Sequence, residues 1–284
     1  MAVSGKTGRR RLSPWVVVKH VVLASTSIAF AAPFLWVIVT SFKSPQEYYT
    51  GGLFPHGAWY LSNYTEAIVQ FDLVHFYRNS TVMSVSAVAF GLVLSLLCAY
   101  ALFRLRFRFR NVVFVSLVVL MMLPPQLTLI SQFLLFDKTG ILDTPLALIL
   151  PYTLGVLPLG VFILRGFYKE LPIDLDHAAR MDGATDLQII FLVLLPLSLP
   201  VLATACILTF IQSWNEFLLA SIFVHRDWST LPVAIATINT VAISDGNQPM
   251  KFAAVVLSFL PLLVVFLFMQ RYFIRGLASG GLKG

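Results

Sequence analysis

Apolar residues fall into six long runs separated by short polar stretches, covering about Val16 to Val39, Thr81 to Phe103, Val112 to Phe136, Thr144 to Leu164, Leu187 to Ile211 and Phe252 to Phe273. A helix needs about 20 predominantly apolar residues to cross the roughly 30 Å hydrocarbon core of a bilayer. Each run meets that length. Inside lipid a single segment satisfies its own backbone hydrogen bonds only as a helix, so the pattern predicts an all-α membrane protein with six transmembrane helices. Prolines 124, 125, 151, 158, 196, 200 and 261 lie within these runs; each removes a backbone donor and marks an expected bend.

Two polar stretches stand out between the runs. Residues 43 to 76 carry Pro, Gly, Asn and many aromatics, which suits an ordered surface loop with short helical pieces. The segment from about Gln212 to Lys251 contains Trp214-Asn215-Glu216-Phe217 and the loop HRDWSTLP. Both are expected outside the membrane, on the same side.

Composition agrees with a membrane location: 58% of residues are hydrophobic, 12% are charged, and the mean hydropathy is +0.84. The net charge of +7 sits in short clusters at span ends rather than along one soluble face, which argues against nucleic acid as a partner. Positive residues near span ends are retained in the cytoplasm. With the N-terminus inside, the cytoplasmic segments hold Lys6, Arg9, Arg10, Arg11 and Lys19, then Arg104, Arg106, Arg108 and Arg110, then Arg165, Lys169 and Arg180, and finally Arg271, Arg275 and Lys283. That is 15 of 20 basic residues. Both termini are therefore expected to be cytoplasmic, and the clusters to meet membrane lipid headgroups. The first run is longer than a signal-peptide core of 7 to 15 residues and reads as an uncleaved span. Cys98 and Cys206 both fall within spans and read as small buried hydrophobes; their spacing suggests neither a metal site nor a disulfide.

The most specific signal is the polar island 171 to 200, LPIDLDHAARMDGATDLQIIFLVLLPLSLP. Pro172 suits a first helical turn, and Asp174 and Asp176 favour the positive helix N-terminus. Leu175, Ala178 and Ala179 share a face at spacings of three and four. Gly183 permits the left-handed backbone that ends such a helix. On a short exposed helix, Ala178 and Ala179 would let a partner approach the backbone closely, with Leu175 and Met181 supplying apolar contact and Arg180 a charged one. An amphipathic interfacial connection between spans is the alternative reading of the same pattern.

The island resembles the EAA signature of ABC importer permeases, whose pattern is E-A-A, three residues, G, nine residues, I-x-L-P. The chain has His177-Ala178-Ala179, Gly183 and Val193-Leu194-Leu195-Pro196 at that spacing, and Asp182-Gly183-Ala184 resembles the family's DGA. Ala99-Tyr100-Ala101 followed by Arg104, Trp214-Asn215-Glu216-Phe217, and the tail from Arg271-Tyr272-Phe273 to Gly284 resemble the shorter, six-span member of the maltose-type carbohydrate permease pair. The resemblance covers nearly the whole chain.

It implies a type I ABC importer permease fold in a bacterial-type inner membrane. Residues 1–14 would be a basic cytoplasmic N-terminus, 15–74 the first span and external loop, 75–270 the permease core with a coupling helix at about 172–186, and 271–284 a cytoplasmic tail. The implied partners are a second permease subunit, two ATPase subunits that use ATP and Mg, and an external solute-binding protein that delivers a carbohydrate. The implied ATPase-coupling residues are His177, Ala178, Ala179, Arg180, Asp182, Gly183 and Ala184. The chain has no GxxxxGK[S/T] phosphate loop, whose amides and lysine would hold ATP, so it is not expected to be an enzyme or to bind a cofactor itself. His177 replaces the usual glutamate; a carboxylate there would pair with a basic residue of the ATPase, whereas His is neutral or weakly cationic near neutral pH.

Polar side chains in or beside spans tend to face a cavity or another helix. Gln126, Thr128, Gln132, Gln212, Asn215 and Glu216 qualify, and Trp214 has a ring that would stack on a sugar; Gln126, Gln132, Trp214, Asn215 and Glu216 are the candidates for the substrate path. Helix-to-helix hydrogen bonding and interfacial anchoring are the competing uses of these residues. Related permeases handle glycerol phosphodiesters or polyol-like solutes, which stand as the alternative substrate class. A secondary carrier is the further alternative; it would be expected to show internal repeats or charged pairs within the spans.

Overall fold

The computed structural model describes residues 14–57, 59–245 and 247–281, and among them every regular element is helical. The basic residues Lys6 to Arg11 and Lys283, expected on the cytoplasmic side, lie outside the described residues.

The first apolar run becomes α1 (Pro14–Ser41), a 28-residue helix, about 42 Å long at 1.5 Å per residue. Its principal neighbour is the last long helix, through Phe34 against Phe259 at 6.1 Å and Trp36 against Phe252 at 5.2 Å. Most of its apolar side chains are exposed, as they would be with lipid as the solvent. The loop that follows holds α2 (Pro45–Thr50) and α3 (Ser62–Gln70). Ser44 caps α2, accepting from the Glu47 N–H at 3.2 Å, and the buried Asn63 amide donates to the carbonyls of Ser41 and Lys43 at 2.8 and 2.9 Å. These bonds give the loop the order expected of it.

The centre of the bundle is α4 (Leu73–Arg104) packed against α7 (Leu146–Glu170). Small residues set that contact. A Cβ on Gly91 would lie 2.4 Å from Val156 Cβ, and one on Gly160 would lie 2.3 Å from Ser95 Oγ. Ser95 Oγ donates to the Gly91 carbonyl at 2.6 Å and across to that of Leu157 at 3.2 Å. With lipid tails as apolar as leucine, close approach and hydrogen bonding of this kind hold helices together.

The third apolar run is not one straight span. α5 (Arg110–Met122) stops before Pro124, a 3-10 turn covers Pro125–Thr128, and α6 (Leu129–Thr139) continues with the pair bent by 98°. Two adjacent prolines supply no N–H groups, and each favours an extended residue before it. Among the described residues, five helices are long and apolar enough to cross a membrane, or six if this bent pair counts as one.

The polar island forms the short α8 (Asp174–Met181), and the fifth run follows as α9 (Asp186–Trp214), widened to a π-helical turn at Ile189–Leu194. The Leu195 N–H reaches back five residues to the Ile190 carbonyl. Pro196 follows, and its ring would clash with the carbonyl four residues earlier in a regular helix; the wider turn precedes it. Beyond α10 (Leu218–Phe223), within the segment expected outside the membrane, α11 (Leu231–Asp245) is a 15-residue helix, about 22 Å long and short of a full crossing. α12 (Gln248–Gly281) follows it.

Candidate functional site

The helix built from the polar island, α8, lies between the ends of α7 and α9. The Ile173 carbonyl accepts from the N–H groups of Asp176 and His177 at 3.0 and 3.2 Å, so Pro172 lies just before the helix. At the other end the Gly183 N–H donates to the Arg180 carbonyl and the Ala184 N–H to that of Ala179, at 3.0 and 2.9 Å. This paired closure needs a left-handed residue, and Gly183 has φ +85°.

The two alanines differ in setting. Ala178 and His177 are exposed, together with Leu175 and with Met181 at 89%. Ala179 is half-buried and packs with Ala184 against the cluster formed by Leu96, Tyr100, Leu164 and Ile189. The surface open to a partner thus includes Leu175, His177, Ala178 and Met181, and Ala179 seats the helix on the bundle.

Charged side chains tie α8 down, a feature that periodicity does not reveal. Asp176 is 4% exposed and pairs with Arg104 at the end of α4, Nε to Oδ2 at 3.3 Å. Arg104 also donates to the Leu171 carbonyl at 3.3 Å and lies over the Tyr168 ring. Burial pushes the Asp176 carboxyl above its usual range, and the Arg104 charge offsets part of that shift. Arg180 forms an ion pair with Asp186 and donates to the Tyr100 hydroxyl at 3.0 Å, while Tyr100 donates to Asp186 at 2.8 Å. Asp182 is exposed at the helix end.

A second feature is a cavity of about 570 Å³ between α6, α7 and the end of α9, lined in part by Gln126, Gln132, Tyr152, Gln212, Ser213 and Glu216. The Gln132 amide donates to Thr128 Oγ1 at 2.7 Å, and its buried Oε1 has no hydrogen-bond partner among the described residues. Glu216 is committed: it accepts from the Tyr152 hydroxyl at 2.8 Å and from the N–H groups of Leu219 and Ala220 at 2.8 and 3.0 Å. Among the described residues, no lysine or arginine lines this cavity.

The structure brings Gln126, Gln132 and Glu216 to this cavity and leaves two other candidates elsewhere. Trp214 is 2% exposed, stacked on Phe210 with centroids 5.5 Å apart. Its indole N–H donates to the Ser258 carbonyl at 3.4 Å. Asn215 is exposed and bonds back to the Ile211 carbonyl at 2.9 Å. Sequence reasoning misses Tyr152 because its partner Glu216 is 64 residues away. Among the described residues no cluster of metal-ligating side chains occurs.

Residues 91–279 match the family described as binding-protein-dependent transport system inner membrane component. The trehalose/maltose transport system permease protein MalG of Thermococcus litoralis is 35% identical, with 94% of this chain and 98% of that protein aligned. The arabinooligosaccharides transport system permease protein AraQ of Halalkalibacterium halodurans is 34% identical, over 90% of this chain and 93% of that one. In fold, the chain is similar to a chain of a bacterial ABC transporter involved in the import of the acidic polysaccharide alginate, with TM-score 0.79, 23% identity and coverage of 96% and 100%. The chain belongs to the binding-protein-dependent transport system inner membrane components, the multi-pass permease subunits of ABC importers.

Proposed function

We propose that this permease subunit forms half of a sugar translocation path and couples it to separate ATPase subunits through α8. The observation that carries the coupling reading is the exposed His177, Ala178 and Met181 surface on a helix closed at Gly183 and anchored from beneath. Small and apolar groups there suit a partner groove, and His177 contributes a ring where a carboxylate is usual. The partners are a second permease subunit, two ATPase subunits that use ATP and Mg, and an external solute-binding protein. The N-terminus and α8 lie on the cytoplasmic side. ATP binding in the partner then shifts the bundle between outward- and inward-facing states by its differential affinity for the two.

Sugar is favoured over a phosphodiester by the cavity. Its amides and hydroxyls can exchange hydrogen bonds with a neutral hydroxylated solute, and no cation among the described lining residues would compensate an anion. The names of the relatives point the same way. The test is uptake by proteoliposomes that contain the assembled complex and its binding protein, offered labelled disaccharides, oligosaccharides, a polyol and a glycerol phosphodiester. ATP-dependent accumulation of a sugar is expected; accumulation of the phosphodiester alone would overturn the sugar assignment.

A further inference from the structure

Nothing in the sequence joins α4 to α8, since about 70 residues separate Arg104 from Asp176, yet the two helices are linked side by side. Tyr100 and Arg104 are one turn apart on α4, and Asp176 and Arg180 are one turn apart on α8. Arg104 meets Asp176 and Tyr100 meets Arg180, so the contacts form two rungs between antiparallel turns. Asp186, at the start of α9, closes the second rung through both Tyr100 and Arg180.

The rungs differ in strength. The Arg104 and Asp176 side chains are 6% and 5% exposed, and parting a buried pair leaves a charge without a partner, which is strongly unfavourable. Arg180 and Asp186 are each 49% exposed, where water screens the attraction. An eight-residue helix has little stability alone, so a force on α8 reaches the bundle through whatever holds it there.

We infer that the Tyr100/Arg104 to Arg180/Asp176 ladder makes α8 and the last turns of α4 one mechanical unit, so that α8 moves α4 directly as well as the spans it adjoins in the chain, α7 and α9. Tyr100, Arg104, Asp176 and Arg180 are positioning residues in this role. The inference rests on the reading of α8 as the ATPase docking helix.

The experiment uses the full complex in proteoliposomes and measures solute moved per ATP hydrolysed, together with ATPase co-purification through a tagged permease. Asp176→Asn removes the inner charge, and Tyr100→Phe removes only a hydroxyl from the outer rung. Asp176→Asn should lower the ratio about tenfold, within the usual range of coupling between sites, and Tyr100→Phe should lower it less, while the ATPase is retained at wild-type level. Wild-type ratios in both variants with the ATPase retained would overturn the inference and leave docking intact. Loss of complex with an unchanged ratio in what remains would also overturn it, because the residues would then serve folding alone. An ATPase that fails to co-purify with the unaltered permease would overturn the docking reading and the ladder with it.

Discussion

At Gly183 the backbone has φ +85°, and a Cβ there would meet nothing within 4 Å. The demand is therefore conformational and not a matter of space. A β-branched residue held in that region is strained by about 1–3 kcal/mol, and the strain falls on the bonds that close α8. Gly183→Val is expected to leave the bundle folded but to uncouple ATP hydrolysis from uptake or to prevent assembly with the ATPase. Normal transport by this variant would count against the coupling role. The glycine and its role in ending a helix were legible from DGA and the spacing around it. Which of Ala178 and Ala179 faces outward was not, because adjacent residues on so short a helix can both be placed on its exposed side until the packing of Ala184 and Ile189 is known.

Among the helices, α8 shows what periodicity leaves out. Asp176 reads in sequence as a helix-dipole residue, and the structure buries it against Arg104. Its carboxyl lies above the usual value of 3.8 because burial disfavours the charged form more than Arg104 favours it. A raised folded-state value means the folded protein holds the proton more tightly than the unfolded chain. This contribution to stability is fully present below the unfolded value, about 3.8, and is lost as pH rises through the folded value. On acidification from about pH 7 to about pH 4, the melting temperature of the wild type should therefore improve relative to Asp176→Asn, which cannot titrate there. A relative loss would show that Arg104 instead holds the carboxylate ionised. Two other elements were illegible for related reasons: α11 is too short for a hydropathy window of about 20 residues, and the Pro124-Pro125 break signals a bend without giving its 98° angle.

For the bundle, the all-helical class was legible, because lipid forces each apolar run into a helix, and the expected six spans are matched only if the bent pair α5 and α6 is one span. The packing order was not. Gly91 and Gly160 stand in the sequence as isolated glycines, and only the crossing of α4 and α7 shows that each admits a side chain from its neighbour. Along α4 the bundle has two distinct ends. His75 and Asn79 hold the carbonyl of Asp227 at one end, and Arg104 holds α8 at the other. In the coupling role proposed for α8, the ATPase is seated on the outer face of this helix. Cross-linking to an ATPase subunit that carries cysteines in its docking groove tests this seating, with Cys introduced in turn at Ala178 and Ala179 of the permease. Cross-linking is expected from position 178 and little from position 179, in a complex that still transports; an active complex that cross-links from neither position, or only from 179, would contradict the seating of the ATPase on that face.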